Sequence, residues 1–432
     1  MNYYSTNNPA SKVDFKEATI RGQAPDRGLY FPEKIPFIDP SFFENIEEYS
    51  NEEIAFKVIK PYVGPAIQAN DLMKLVTETI NFPIPLVKVK DSIFALELFH
   101  GPTLAFKDVG ARFMSRCLAY FTKDRNEKVI VLVATSGDTG GAVANGFYDV
   151  PGVDVVILYP SGKVSSVQEK QLTTLGKNIH ALEISGTFDD CQQMVKKAFM
   201  DGELNKKLFL TSANSINVAR WLPQQFYYFL AWKQWNDKQH PPVICVPSGN
   251  FGNICAGMLA HRSGLPVQHF IAACNANDIV PEYMVSGNYQ SKKAIATLSN
   301  AMDVGDPSNF TRILELFDHQ FGELKNNLSS YSITDDETRE TISEVNKRFN
   351  YLLDPHGAVG YRALSQYLET HPAEKGIFLE TAHPVKFYDV VEPVINAKVP
   401  LPEGMREIMK KSKVSTRMAV DYEELRSYLL KR

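Results

Sequence analysis

Lys107 follows directly on an apolar run, Leu104-Ala105-Phe106, within the stretch Leu98-Phe99-His100-Gly101-Pro102-Thr103-Leu104-Ala105-Phe106-Lys107-Asp108. An amine flanked in this way can be stripped of water, and desolvation disfavours its charged form. Only the neutral amine of a lysine attacks a carbonyl carbon, which is the chemistry of a Schiff base. Taken alone, a lysine reads as a solvated surface charge. The weight comes from what accompanies it.

Two loops rich in small residues could hold anions. Ser248-Gly249-Asn250-Phe251-Gly252-Asn253 lies where an apolar strand, residues 243–246, gives way to a helical stretch reaching about Arg262. Small residues there let backbone N–H groups approach an anion, and a helix N-terminus adds a favourable dipole. An ordinary tight turn reads the same way from this loop alone. Thr135-Ser136-Gly137-Asp138-Thr139-Gly140-Gly141 is a second strand-to-helix loop with several hydroxyls. Asn214-Ser215-Ile216-Asn217 adds amides, and Arg220 beyond it has a fork of donors that matches two phosphate oxygens at once. Singly, these residues also suit a helix cap with a surface arginine. Together, two anion cradles and an apolar-flanked lysine suggest a phosphorylated cofactor and a second anionic ligand. Neither G-x-x-x-x-G-K-[ST] nor G-x-G-x-x-G occurs, which argues against a nucleoside triphosphate or a Rossmann dinucleotide.

The elements that must position these groups follow from hydrophobic patterning. Residues 1–90 read as a mixed region with amphipathic helical patches at 52–59 and 71–79, and Pro83 and Pro85 place a boundary near its end. From Lys128 onward, apolar strands at 129–134, 153–159, 179–184 and 243–246 alternate with helices at 164–175 and 188–200. The 135–141 loop is followed by a helix to about Tyr148. Thr334-Asp335-Asp336-Glu337 has capping-box spacing and opens a helix through Phe349, and 376–380 is a last strand before Thr381-Ala382-His383-Pro384. The alternation argues for α/β units on parallel sheets.

With 432 residues, 44% hydrophobic and 22% charged, the chain can build two or three domains with sizeable cores. A formal net charge of -4 gives no reason to expect nucleic acid or an anionic membrane as partner, so an anionic ligand has to be held by local groups. Cys117, Cys191, Cys245, Cys255 and Cys274 form no C-x-x-C pair and suggest buried thiols of a reducing compartment; neither a disulfide frame nor a metal site is expected. The polar N-terminus suggests no signal peptide, and the expectation is a soluble cytoplasmic protein.

These motifs, in this order, resemble the threonine synthases, pyridoxal phosphate (PLP) enzymes of the tryptophan-synthase-β-like group known as fold type II. The resemblance also takes in Asp26-Arg27-Gly28-Leu29-Tyr30-Phe31-Pro32 and Asn300-Ala301-Met302-Asp303-Val304, and so runs over nearly the whole chain. It implies two α/β domains around a cofactor cleft plus an N-terminal region: residues 1–90 an N-terminal domain, 91–109 with 206–432 a large PLP-binding domain, and 110–205 a small domain. It implies that Lys107 holds PLP covalently and later acts as base, and that Gly249, Asn250, Phe251, Gly252 and Asn253 cradle the PLP phosphate. Thr381 would face the pyridine nitrogen. Asp138 lies where many relatives place an Asn facing the phenolic oxygen, and a carboxylate there would repel a phenolate. Thr135, Ser136, Thr139, Asn214 and Arg220 would hold the phosphate of the substrate, O-phospho-L-homoserine. The activity implied is its conversion with water to L-threonine and phosphate, by a protein acting as monomer or homodimer.

His100 and His383 lie within the site motifs, and structural hydrogen bonding accounts for both. Two other functions fit parts of the pattern. A serine or threonine dehydratase would use the same lysine but needs no substrate-phosphate pocket, and a non-catalytic sensor would bind PLP or a phosphorylated metabolite without turnover.

Overall fold

The computed structural model describes residues 1–123 and 128–432. The chain opens with a small antiparallel sheet of β1 (Asn2–Ser5), β2 (Asn8–Asp14) and β3 (Tyr30–Pro32), in the order β2-β1-β3. This sheet was not anticipated within the mixed region. β2 is exposed along nearly its whole length and so carries no alternation to read. The expected helical patches are present as Asn51–Val63 and Ala69–Thr79, the first with its Ser50–Glu53 capping box.

Next come β4 (Leu86–Lys90) and β5 (Ile93–Glu97), an antiparallel pair, and then β6 (Val129–Ala134), β7 (Val153–Pro160), β8 (Ile179–Ile184) and β9 (Phe209–Thr211). Further along are β10 (Val243–Pro247), β11 (His269–Cys274), β12 (Leu328–Ser332), β13 (Gly376–Glu380) and β14 (Thr416–Met418). They build two sheets, one in the order β12-β11-β10-β13-β5-β4 and one in the order β14-β8-β7-β6-β9. Apart from the β4–β5 pair, every pairing in these two sheets is parallel. Every residue of β6, β7, β10 and β13 is buried, as strands covered on both faces must be, which explains why they are apolar but for Asp154 in β7 and Glu380 at the end of β13.

Strand membership departs from the expected boundaries in three places. β4 pairs into the larger sheet, so that unit reaches back before residue 91, while β9 and β14 pair into the smaller sheet although they lie within 206–432. β9 and β14 have three residues each, too few to show a period. The 135–141 loop is also shorter than expected, because the helix already begins at Asp138 (Asp138–Gly146). Gly140 allows this early start. A side chain there would run into Thr135 and Leu172, and without one its N–H reaches Thr135 Oγ1 at 2.8 Å.

Parallel registers bring the functional loops to one place. β5 and β13 run in step from Ile93 beside Gly376 to Glu97 beside Glu380, and β10 runs beside β13 from Val243. Their carboxyl ends therefore release the loops 98–106, 381–383 and 248–251 along one edge, the usual ligand-binding edge of such a sheet. The first two loops are stitched together: Leu98 N–H donates to Glu380 O (3.0 Å), Phe106 N–H to Thr381 O (2.9 Å) and His383 N–H to Leu104 O (3.0 Å).

Arg312 ties the N-terminal sheet to this edge. Its fully buried guanidinium donates to Tyr30 O (2.9 and 3.1 Å), Ser215 O (3.2 Å), Ile216 O (2.6 Å) and Asn309 Oδ1 (2.7 Å), and lies 4.3 Å over the Trp221 ring. Burial lowers its pKa to about 10. Arg312→Ala would leave three carbonyls without their donor in the interior. The expected loss of stability is about 3 kcal/mol or more, measurable by urea unfolding, and a loss under about 1 kcal/mol would contradict this role.

Candidate active site

Lys107 is the first residue of the helix Lys107–Thr122, and a strained, heavily bonded loop delivers it. Leu104 takes a left-handed conformation (φ 58°), uncommon for a non-glycine residue. Asp108, buried, accepts from Thr103 N–H (2.9 Å) and from the Thr103 hydroxyl, and Tyr227 donates its hydroxyl to Phe106 O. Gly101 lies so close that a side chain there would strike the Asp108 carboxylate. These contacts fix the loop on both sides of the lysine. Lys107 itself is half-buried. Burial is the main force on its amine and lowers its pKa from 10.5 to about 8; Asp138 opposes the shift, and Lys386 and Arg220 reinforce it.

Asp138 is buried and paired, which answers the objection to a lone carboxylate in this position. Lys386, with no exposure at all, brings its Nζ to 2.7 Å from Asp138 Oδ1, and Gln168 Nε2 donates to the same oxygen at 3.0 Å. Burial pushes the Asp138 carboxyl up, but the ammonium groups of Lys386 and Lys107 outweigh it and hold the group well below the usual carboxylate range. Lys386 also donates to Thr103 O (2.8 Å), which Gln171 Nε2 reaches as well (3.0 Å). Lys386, Gln168 and Gln171 were not expected from the sequence. Lys386 carried a readable signal, since Val385-Lys386-Phe387 flanks a lysine with apolar residues just as Leu104-Ala105-Phe106 does.

The 248–253 loop has the form of an anion cradle. Phe251 takes a left-handed turn (φ 60°) into the helix Gly252–Arg262, whose leading N–H groups have no acceptor within the helix. Asn250 and Asn253 turn their side chains into the loop's own scaffold. Asn250 Nδ2 donates to Ser215 Oγ (2.8 Å), its Oδ1 accepts from Ser308 N–H (2.7 Å), and Asn253 Nδ2 donates to Pro247 O (2.8 Å). An anion at this loop would therefore be met by backbone N–H groups. A Cβ on Gly249 would come within 2.7 Å of Met302 Cα and 2.8 Å of Ala301 O, so the 300–302 turn closes directly over this glycine. His356 braces that turn. Its Nε2 accepts from Ala301 N–H (3.2 Å), so the ring proton is on Nδ1, which faces Asp354 Oδ1 at 3.1 Å.

A second set of polar groups gathers around Arg220. Its guanidinium is buried and donates to Ala213 O (2.7 Å), but Nε has no partner, and among the described residues no carboxylate lies within ion-pair distance. Burial lowers its pKa to about 10, so it stays charged at neutral pH. Buried donors left unpaired are costly, and a phosphate would pair them. Ser136, Thr139 and Asn214 are partly exposed, as ligand contacts need to be. Thr135 is placed differently: its buried Oγ1 accepts from Gly137 N–H (2.9 Å) and Gly140 N–H (2.8 Å), so it shapes the loop and keeps only its proton for a ligand. Thr381 is buried directly after β13. His100 pairs with Glu97 (2.7 Å), and His383 accepts from Val385 N–H (3.1 Å) with its pKa lowered to about 4 by burial, so His383 is a weak base at neutral pH. Among the described residues no cluster of side chains could hold a metal ion, and all five cysteines are buried and free.

A lysine amine of lowered pKa beside a backbone phosphate cradle fits the aldehyde and phosphate of PLP. Comparison with known proteins points the same way. The family profile described as "Pyridoxal-phosphate dependent enzyme" matches residues 77–379, flanked by "Threonine synthase N terminus" over 2–80 and "Threonine synthase, C-terminal" over 357–429. The threonine synthase of Haemophilus influenzae is 45% identical, with all of both chains covered. Among solved structures, threonine synthase from Escherichia coli superposes with a TM-score of 0.93 at 42% identity, covering all of both chains. PLP-bound threonine synthase from Brucella melitensis gives a TM-score of 0.93 at 35% identity, covering all of this chain and 99% of that one.

Gly249→Ala tests the cradle. The added methyl has to displace the backbone of the 300–302 turn, at an expected cost of about 1–3 kcal/mol. PLP affinity of the apoprotein, followed by fluorescence quenching, should fall about tenfold or more while the protein still folds. Unchanged affinity would remove this loop from the cofactor site.

Proposed function

The chain belongs to the threonine synthase family of PLP-dependent enzymes, and from that premise we propose that it converts O-phospho-L-homoserine and water to L-threonine and phosphate, the last step of threonine biosynthesis. The observation that carries this reading is the pairing of a lysine amine of lowered pKa with two anion sites, one on the 249–253 backbone and one at Arg220. One phosphate belongs to the cofactor, and the unpaired Arg220 calls for a second on the substrate. A dehydratase has no use for that second site.

When bound, PLP supplies an electron sink that stabilises carbanions next to the substrate's amino-bearing carbon. The protein's groups do the rest. Lys107, neutral in a substantial fraction of molecules near pH 8, would hold the cofactor covalently. With the substrate amine in its place, the freed Lys107 Nζ would be the base that accepts the α-proton. Arg220, with Ser136, Thr139 and Asn214, holds the substrate phosphate and receives its growing charge as the bond to the γ-carbon breaks, a charge-assisted contact that strengthens along the reaction. The Thr381 hydroxyl, buried directly after β13, would serve the ring nitrogen as a neutral partner. A proton would also leave the β-carbon as the phosphate departs, and one would return to the γ-carbon, which becomes the methyl group. Water would then add at the β-carbon and the α-carbon would be reprotonated, giving threonine. We place this activity in the cytoplasm, in keeping with five free buried thiols. Among the described residues no helix is long and apolar enough to cross a membrane.

The test is product stoichiometry. The PLP-loaded protein, given O-phospho-L-homoserine, should release threonine and inorganic phosphate in equal amounts, whereas phosphate with a keto acid would make it an eliminase. Lys107→Ala should remove turnover and leave the fold intact, and residual threonine formation would contradict the role of Lys107. Arg220→Ala should raise KM for the substrate about tenfold or more, equivalent to about 1.4 kcal/mol or more. An unchanged KM would contradict the assignment of the second site.

A further inference from the structure

Lys386 is the most deeply buried charge in the cleft, and its bonding is incomplete. Its side chain has no exposure, and the short turn Pro384–Phe387 that carries it follows directly on the 381–383 loop of the site. An ammonium has three donors. Two are engaged, one by Asp138 Oδ1 at 2.7 Å and one by Thr103 O at 2.8 Å, and no acceptor among the described residues takes the third. Full burial of a charge is tolerated when its partners are complete. A ligand oxygen would complete these.

The chemistry of the cofactor says which oxygen. The aldehyde carbon of PLP, the atom a lysine amine engages, has the phenolic oxygen on the neighbouring ring carbon on one side and the phosphate-bearing arm on the other. With the phosphate arm on the 249–253 loop, the phenolic oxygen would lie on the other side of the aldehyde carbon. The Lys386–Asp138 pair is tied to the loop that delivers Lys107, since Lys386 Nζ donates to Thr103 O at 2.8 Å while it holds Asp138 Oδ1 at 2.7 Å. A carboxylate facing a phenolate is repulsive; an ammonium facing it is a charge-assisted hydrogen bond. Resting on the reading of Lys107 as the PLP-binding residue, we propose that Lys386 is the group that donates to the cofactor's phenolic oxygen, and that Asp138 is a positioning residue holding Lys386 in place from behind. Asp138 has its own brace in Gln168 (3.0 Å), so the order of support runs from Gln168 through Asp138 and Lys386 to the ligand. This assigns to a lysine from the far end of the chain a contact that the position of Asp138 alone would give to the carboxylate.

The test uses two aldehydes, PLP and 3-deoxypyridoxal 5'-phosphate, which lacks only the phenolic oxygen. Dissociation constants for the apoprotein are read by fluorescence quenching, with no substrate and no turnover. The wild type should prefer PLP by about tenfold or more, and Lys386→Met should bind the two alike. Lys386→Met leaves Asp138 buried without its cation and is expected to melt at a lower temperature. The double variant Lys386→Met/Asp138→Leu removes that orphaned carboxylate, and should regain stability without regaining the preference. Wild-type preference for PLP kept in either variant, or absent from the wild type, overturns the assignment. A wild type that binds neither aldehyde overturns the reading of Lys107 and this proposal with it. A protein that shows the preference yet makes no threonine loses the proposed substrate and keeps Lys386 in its role.

Discussion

Burying positive charge without a full set of negative partners is expensive, and this cleft does so three times. Lys107 loses water until its amine is nearly half neutral at slightly alkaline pH. Arg220 keeps its charge but has an orphaned Nε. Lys386 has a carboxylate beside it and one donor still open. Each of these costs is the mirror image of an affinity, because an anion entering the cleft recovers what the unpaired donors forfeit. The surrounding structure can be understood as what is needed to keep these cations from escaping to solvent or collapsing onto the wrong acceptor.

That support is largely backbone geometry. Parallel strands in strict register deliver the lysine loop, the Thr381 loop and the 248–251 loop to one edge of the larger sheet, and the carboxyl ends of β6 and β9 supply the hydroxyl and arginine loops from the smaller one. The polar side chains in these loops mostly serve the loops themselves. Asn250, Asn253, Thr135, His356 and Asp108 each bind backbone or neighbouring side chains, which leaves main-chain N–H groups and the three cations to meet the ligand. A loop whose own side chains are engaged in this way needs little rearrangement when an anion arrives, and such preorganisation is what an electrostatic site requires.

Much of this was legible in the sequence. The buried strands could be read because an unbroken β-branched run has few other uses, and the helix at 188–200 lies where its amphipathic pattern placed it. Lys107 and Arg220 could be read because the residue types and their neighbours restrict the chemistry. β9 and β14 could not, since three residues carry no period and their place at sheet edges is decided by partners far along the chain. The direction of a side chain was equally hidden. Nothing local says that Asn250 faces Ser215 and Ser308, which lie 35 and 58 residues away. Lys386 shows the limit most clearly: its apolar flanks were visible, but its partner Asp138 opens the helix that follows β6, far earlier in the chain, and only the folded chain brings the two together.

Folding strips the Lys107 amine of water and holds it among cations, and the chemistry of the whole cleft depends on that step. Competitive labelling of the apoprotein with trace acetic anhydride across a pH series measures it directly, because only the neutral amine is acylated and the Lys107 peptide can be quantified by mass spectrometry. Neutral amine accumulates as pH rises through the pKa, so the labelling midpoint should lie near pH 8, as burial dictates. A midpoint near the ordinary lysine value of 10.5 would mean that the amine is solvated and that desolvation is not the source of its reactivity.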